Sequence, residues 1–296
     1  MNSPASVRAR LLNASKQSGE AFQATLTRFA IERFLYRLGI SDQRDSFILK
    51  GAILFVAWEG TMHRPTKDLD FLGSGSSALQ DVALKIREIA GLFADDGIVF
   101  DPESVATEVI KEDAEYEGVR ALVIARLEQA RISLQIDVGF GDAVEPPPIE
   151  GAFPTILKEI APPLLLMYPP EVVIAEKLHA MIILDIRNSR MKDFYDIWHL
   201  ARNGSFQLST LQQAIAATFD RRRTKLPTEI PFALTHAFLV DESKTLQWRG
   251  FLKRLQLEAS APDLPEVGRL IAKFLNPVWT GSEKQLTWQQ GGPWRE

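Results

Sequence analysis

The sequence predicts an α/β (α+β) protein: a mixed sheet with flanking helices, followed by a mainly helical C-terminal part. Three observations predict it. Residues 68–72 and 131–138 alternate apolar and polar side chains, as strands with one buried face do. Leu79, Val82, Ala83, Ile86, Ile89, Ala90 and Phe93 form a helical stripe between those strands. Beyond the prolines at 146–148, 162–163 and 169–170, which suit neither helix interiors nor central strands, only helical patterns recur. The expected domains are therefore 1–150 and 151–296.

In chain order, residues 4–38 read as two helices. Val7, Leu11, Leu12 and Ala14 lie near helical spacing in the first, and Phe22, Leu26, Phe29, Ala30, Phe34 and Leu35 in the second, with Gly39 as the stop. Phe47-Ile48-Leu49 is a short strand ending at Lys50-Gly51, and Ala52 to Trp58 looks helical. Strands are expected at 105–110, 119–127 and 131–138. In the last, Ile132, Leu134, Ile136 and Val138 face the core, and Arg131, Ser133, Gln135 and Asp137 face away. Helices follow at 170–187, 190–203, 208–220, 244–257 and 264–275, and the tail from 280, polar and punctuated by Gly and Trp, is expected to be loosely ordered.

Composition excludes several classes of function. Among 296 residues, 46% hydrophobic and 24% charged, disorder is not the main state. Cysteine is absent, so there is no disulfide framework, thiolate metal site or cysteine nucleophile. His63, His179, His199 and His236 are scattered, against a multi-histidine zinc site. A formal charge of −4 means that any nucleic-acid surface is a local patch. No apolar run reaches the ~20 residues of a membrane span, and the start carries no secretory pattern, so a cytoplasmic protein is expected.

The sharpest chemical feature is Asp68-Leu69-Asp70. Period-two geometry sets both carboxylates on one strand face and Leu69 and Phe71 on the other. A bare Asp-x-Asp is commonly two solvent-facing acids. Here a strand end passing through Gly51 toward a helix lies upstream, where backbone can approach a phosphate, and Asp137 is a third acid on an otherwise apolar strand. Three sheet acids suit a two-metal site of hard cations such as Mg²⁺. Arg64 and Lys50 either grip phosphate or pair with these acids, and Thr66 offers a hydroxyl or merely begins a strand. Asp193 and Asp196 share a helix face, with Ser189 as N-cap and Gly204 as stop. Arg190 and Lys192 hold phosphate or pair with nearby acids, and Arg221, Arg222 and Arg223 either contact RNA phosphates or sit favourably at a helix C-terminus.

The order Gly51-Ala52, Asp68-x-Asp70, Asp137 resembles the DNA polymerase β-like nucleotidyltransferase superfamily. More closely, the chain resembles the AbiEii/AbiGii family of toxin nucleotidyltransferases of type IV toxin–antitoxin systems. The resemblance is carried by 30–38, Ile48-Leu49-Lys50-Gly51-Ala52, 64–70, Glu176-Lys177-Leu178-His179-Ala180 and 190–196, and fades beyond about 205. The family usually shows Gly-Gly where this chain has Gly51-Ala52.

The resemblance implies a nucleotidyltransferase core in 1–150 and a helical domain that contributes to the active-site cleft. It implies Mg²⁺ on Asp68, Asp70 and Asp137, and NTP binding by Lys50, Gly51, Ala52, Arg64, Thr66 and Lys177. Lys177 and Asp193 become catalytic, the lysine toward the triphosphate and the acid orienting it or acting as a base. The implied reaction moves NMP to an acceptor hydroxyl, with tRNA 3′ ends as acceptors and an AbiEi-like antitoxin as partner. A small-molecule, antibiotic-type nucleotidyltransferase and a catalytically silent interaction module are the alternatives.

Overall fold

The computed structural model describes residues 2–60, 63–66, 68–113 and 116–296, without side chains at 111–113, 116 and 117. The chain forms two compact units, one of Met1–Asp142 with Pro148–Tyr168 and one of Ala143–Pro147 with Pro169–Glu296. The division differs from the expected 150/151 because two further strands return to the first sheet after the proline run.

The first unit opens with α1 (Pro4–Ser18), where Ser3 Oγ accepts the Ser6 N–H at 3.3 Å and Gly19 closes the helix at φ +74°. Helix α2 (Phe22–Ile40) buries Leu26, Phe29, Ala30, Phe34 and Leu35. Gly39 is not the expected stop, since the helix runs on to Ile40. A Cβ at Gly39 would lie 2.7 Å from the Leu164 carbonyl oxygen, so the glycine serves close backbone approach.

Among the described residues, seven strands form one sheet: β1 (Phe47–Lys50), β2 (Asp68–Gly73), β3 (Val99–Asp113), β4 (Tyr116–Leu127), β5 (Ala130–Phe140), β6 (Ile149–Ala152) and β7 (Leu164–Met167), in the order β3-β4-β5-β2-β1-β7-β6. Strand β2 is antiparallel to β1 and parallel to β5. Leu69 and Phe71 are buried as expected, leaving Asp68 and Asp70 half-buried on the opposite face. Strand β6 is the far edge of the sheet, and β7 lies between it and β1 with the prolines 162–163 just before its first residue. Helix α3 (Leu54–Glu59) follows β1, and α4 (Leu79–Gly91) packs on β3 through Val82, Ala83, Ile86, Ile89 and Ala90. Phe93 falls outside this stripe: it lies past the helix end and is exposed.

Helix α2 is bolted in place by buried charges. Arg37 donates to both Asp96 carboxylate oxygens at 2.7 and 3.1 Å, and Arg33 Nε lies 3.2 Å from the same carboxylate. Beside them Glu32 accepts the Ile156 N–H at 2.8 Å, and burial pushes its carboxyl up to about 7, against the opposing pull of that hydrogen bond and of Arg33. The native state therefore holds a proton that the unfolded chain has lost above about pH 4.5. The contribution of this group to stability falls as pH rises from there to about 7 and levels off above it. Glu32→Gln keeps an acceptor for Ile156 without ionising. Melting temperatures at pH 5 and pH 8 should converge in this variant relative to wild type, and a variant that tracks wild type at both pH values contradicts the assignment.

The second unit contains α5 (Pro170–Leu184), α6 (Met191–Asn203), α7 (Leu208–Arg221), α8 (His236–Leu239), α9 (Glu242–Leu255) and α10 (Leu264–Trp279). It also holds a small sheet of β8 (Phe206–Gln207), β9 (Thr287–Trp288) and β10 (Trp294–Arg295). Two-residue strands are too short to alternate visibly, which is why only helices were expected here. The tail is not loosely ordered. Trp288 is fully buried and its indole N–H donates to the Ala201 carbonyl at 2.6 Å. Trp294 lies parallel to Phe274, centroids 5.7 Å apart, and donates to that residue's carbonyl at 2.8 Å. No helix of the described residues is long and apolar enough to cross a membrane.

Candidate active site

Strand register in the first unit assembles charged residues from five strands into one row. Glu108 on β3 lies opposite Arg120 on β4, Arg120 opposite Asp137 on β5, Asp137 opposite Asp70 on β2, and Asp70 opposite Lys50 at the end of β1. Registered partners share a sheet face, so the row reads minus, plus, minus, minus, plus across the sheet. Asp68 stands one step along β2, opposite Gln135.

Asp70 and Asp137 are thus neighbouring like charges, and the row supplies what offsets them. Arg120 grips Asp137 with two hydrogen bonds of 2.8 Å, from Nε to Oδ1 and from Nη2 to Oδ2. Gln135 adds a third donor to Oδ2 at 3.2 Å. These bonds to Asp137, with the charges of Asp137, Asp68 and Glu108, hold the Arg120 guanidinium above its ordinary value despite some burial. Lys50 is buried and its ammonium donates to Asp142 at 3.4 Å.

Gly51 has φ +78°, and a Cβ built there would stand 2.1 Å from Asp70 Oδ2. The Asp70 carboxylate occupies the space of the missing side chain, so only glycine satisfies both the backbone and the acid. Ala52 is buried, and Gly51 alone of the pair needs the left-handed region. The turn departs from expectation in one respect. Helix α3 starts at Leu54, not Ala52, and the N–H groups of Leu54, Phe55 and Val56 are taken by the carbonyls of Gly51, Ala52 and Ile53. Those three donors are spent inside the turn. Gly51→Ala should lower nucleotide transfer by about 100-fold or more, because the methyl must displace the carboxylate and a left-handed alanine is itself strained. Single-turnover rates on protein of unchanged secondary structure check this; a loss below fivefold contradicts it. Arg64 is buried and Thr66 half-buried just before β2, and Lys67 of the same motif lies outside the described residues.

The second unit gathers another charged cluster. Lys177 on α5 places Nζ 2.8 Å from Asp193 Oδ1 and 2.8 Å from Asp196 Oδ2 on α6. Both acids are fully buried, and Arg190 Nε holds the other Asp193 oxygen at 2.8 Å. Ser189 is not the expected cap. The N-cap position belongs to Arg190, whose N–H donates to the buried Asn188 Oδ1 at 2.8 Å. The buried ammonium of Lys244 donates to the Asn188 carbonyl at 2.9 Å and fixes the same turn from α9. Gly204 ends α6 as expected.

Of the remaining basic candidates, Lys192, Arg221 and Arg223 are exposed. Arg222 turns inward: its Nη1 donates to His179 Nδ1 at 3.2 Å, and His179 Nε2 is 3.0 Å from the Thr224 hydroxyl. Because a guanidinium only donates, this network assigns the imidazole proton to Nε2.

Sequence reasoning missed Arg120, Gln135 and Asp196 as site residues. Asp196 carried a readable signal, its i,i+3 spacing from Asp193 inside an aromatic-rich helix. Gln135 carried one too, since it shares a face of the same strand with Asp137 two residues on, whereas Arg120 carried none, because its place is set by cross-strand register.

The acids can be tested against a divalent cation. Asp68 and Asp70 offer hard carboxylate oxygens on one face, one of them seated in the Gly51 cradle, and this donor set suits Mg²⁺ completed by phosphate oxygens. Among the described residues no three acidic or histidine side chains form a ready cation cage, and Asp137 has both oxygens turned to Arg120.

Two solved structures from Helicobacter pylori share the fold. The protein JHP933 is 14% identical with a TM-score of 0.50, the match covering 88% of this chain and 94% of that one. A candidate nucleotidyltransferase is 14% identical with a TM-score of 0.51, covering 89% and 100%. No curated protein matches the chain. The family described as nucleotidyl transferase AbiEii toxin, type IV toxin–antitoxin system, matches residues 33–270, a span that takes in the acid row, the Gly51 cradle and the Lys177 cluster. The chain is a nucleotidyltransferase and belongs to the AbiEii family of type IV toxin–antitoxin systems.

Proposed function

We propose that this enzyme transfers a nucleoside monophosphate from an NTP to the 3′ hydroxyl of tRNA, with Mg²⁺ and release of pyrophosphate. The observation that carries the reading is the Asp70 carboxylate seated over Gly51 and registered beside Asp137. In the reaction, the acceptor oxygen bonds to the α-phosphorus as the bond to pyrophosphate breaks, and the hydroxyl proton passes to a carboxylate. Asp68 and Asp70 hold the cation, with Asp137 completing the set and drawing the acceptor proton. When bound, Mg²⁺ supplies charge neutralisation for the phosphoryl oxygens and orients them. Lys50, Gly51, Ala52, Arg64 and Thr66 form the nucleotide side of the site.

Lys177, oriented by Asp193 and Asp196, stabilises charge on the departing pyrophosphate. The exposed Lys192, Arg221 and Arg223, with Arg190, contact RNA phosphates. An AbiEi-like antitoxin is the cognate partner, and the enzyme works in the cytoplasm where charged and uncharged tRNA reside. The test is incubation with each labelled NTP, Mg²⁺ and total tRNA, resolved on a gel. Label on tRNA supports the reading. Label only on small alcohols or amines would transfer the assignment to a small-molecule enzyme, and no turnover with any acceptor would leave a binding module.

A further inference from the structure

We propose that Arg120 is a positioning residue: it withholds Asp137 from the cation site, and its guanidinium swings to Glu108 when a divalent cation binds. This rests on the proposed metal role of Asp68, Asp70 and Asp137. In the row, Arg120 stands between two carboxylates on flanking strands. It is fully engaged with Asp137, by two bonds of 2.8 Å. It is only loosely placed toward Glu108, whose nearest oxygen is 3.9 Å from Nη1. Asp137 is nearly buried and receives a further donor from Gln135, whereas Glu108 is 65% exposed. Both Asp137 oxygens therefore point along the sheet to β4, away from Asp70 on β2.

A cation held by Asp68 and Asp70 competes with the guanidinium for the same oxygens and repels it. Recruiting Asp137 means breaking a two-pronged charged pair, and that loss is subtracted from cation affinity. Glu108 lowers the loss, because the freed guanidinium exchanges one carboxylate for another without leaving its strand. The half-exposed setting keeps the effect moderate. Removing the fork should thus tighten cation binding by about tenfold, a direction opposite to that of a residue that prearranges a ligand.

The experiment is Mn²⁺ titration of the full chain without nucleotide, followed by calorimetry and by the electron paramagnetic resonance of free Mn²⁺. Arg120→Gln is expected to bind Mn²⁺ about tenfold more tightly than wild type. Arg120→Lys, which keeps the charge and loses the fork, should tighten binding by a smaller factor, and thermal melts confirm that both variants fold. The gain should vanish in Arg120→Gln combined with Asp137→Asn. Unchanged or weaker binding in both Arg120 variants, with Asp137→Asn weakening wild-type binding, overturns the proposal while the metal role of Asp137 stands. A gain that survives Asp137→Asn also overturns it, reducing Arg120 to bulk charge. Binding that is insensitive to Asp68→Asn and Asp70→Asn removes the metal reading itself, and the proposal with it.

Discussion

Asp70→Ala should reduce nucleotide transfer by about 10³-fold or more in a protein that still folds. The rate effect follows from position. Asp70 is the acid seated against Gly51 and registered between Lys50 and Asp137, so no neighbouring side chain can take its place. A group that neutralises charge in a phosphoryl-transfer transition state contributes several kcal/mol, because catalysis there is mostly positioning and electrostatics. Folding is retained because removing this half-buried acid takes away a like charge beside Asp137 together with a partner registered opposite Lys50, two effects of opposite sign. Asp68→Ala should behave alike, with a smaller change in melting temperature, since its register partner is the uncharged Gln135. Single-turnover transfer and thermal melts measure both quantities. Near-wild-type transfer in either variant would refute the assignment of these acids.

Lys177→Ala should lose about 10²–10³ in single-turnover rate at saturating NTP, by analogy with removal of one donor to a developing charge. If the lysine acts mainly as pyrophosphate departs, rate falls much more than nucleotide affinity. The structure adds a complication absent from a lysine on an open helix face. Nζ lies 2.8 Å from each of two fully buried carboxylates, and deleting it leaves Asp196 buried without that partner. Breaking such a pair costs about 3–5 kcal/mol, so the single variant will also melt earlier. Lys177→Met combined with Asp196→Asn removes one buried charge of each sign and should restore most of the stability. If Lys177 serves only to hold α5 against α6, this double variant regains activity with stability. If it serves the reaction, the rate stays 10²–10³ down in a well-folded protein, which is the expected result. Lys177→Arg should recover only part, because a planar fork does not occupy the place of an ammonium between those two oxygens.

How far the sequence revealed this architecture depends on how local each signal is. The alternation of Asp68 to Leu72 and of Arg131 to Val138 identified β2 and β5 and the faces of their side chains, because a strand's two faces are written in consecutive residues. Helices α5, α6, α7, α9 and α10 were legible for the same reason at a period of 3.6. Gly39 misled because glycine has two uses, a helix stop and a place of close approach, and the Leu164 backbone that decides between them is distant in sequence. The tail misled because its order comes from Trp288 and Trp294 docking on Phe274 and Ala201, not from any pattern within the tail. Arg120 was invisible on the same grounds. An arginine on an alternating strand looks like an ordinary exposed cation until register sets it against Asp137.

That register also sets an order of assembly. Arg120 and Asp137 are 17 residues apart and belong to a hairpin whose tight turn pairs Leu127 with Ala130, so they meet early in folding. Lys50 and Asp70 meet across the antiparallel β1 and β2, over a connection that carries α3 and is still local in the chain. The parallel pairing of β2 with β5 is a long-range step, as is that of β1 with β7, since each must close a much longer stretch of chain. Each of the two neighbouring acids therefore arrives already facing its own cation. The repulsion between Asp70 and Asp137 is met only when β2 joins β5, and the apolar faces of Leu69, Phe71, Ile136 and Val138 are buried in the same event.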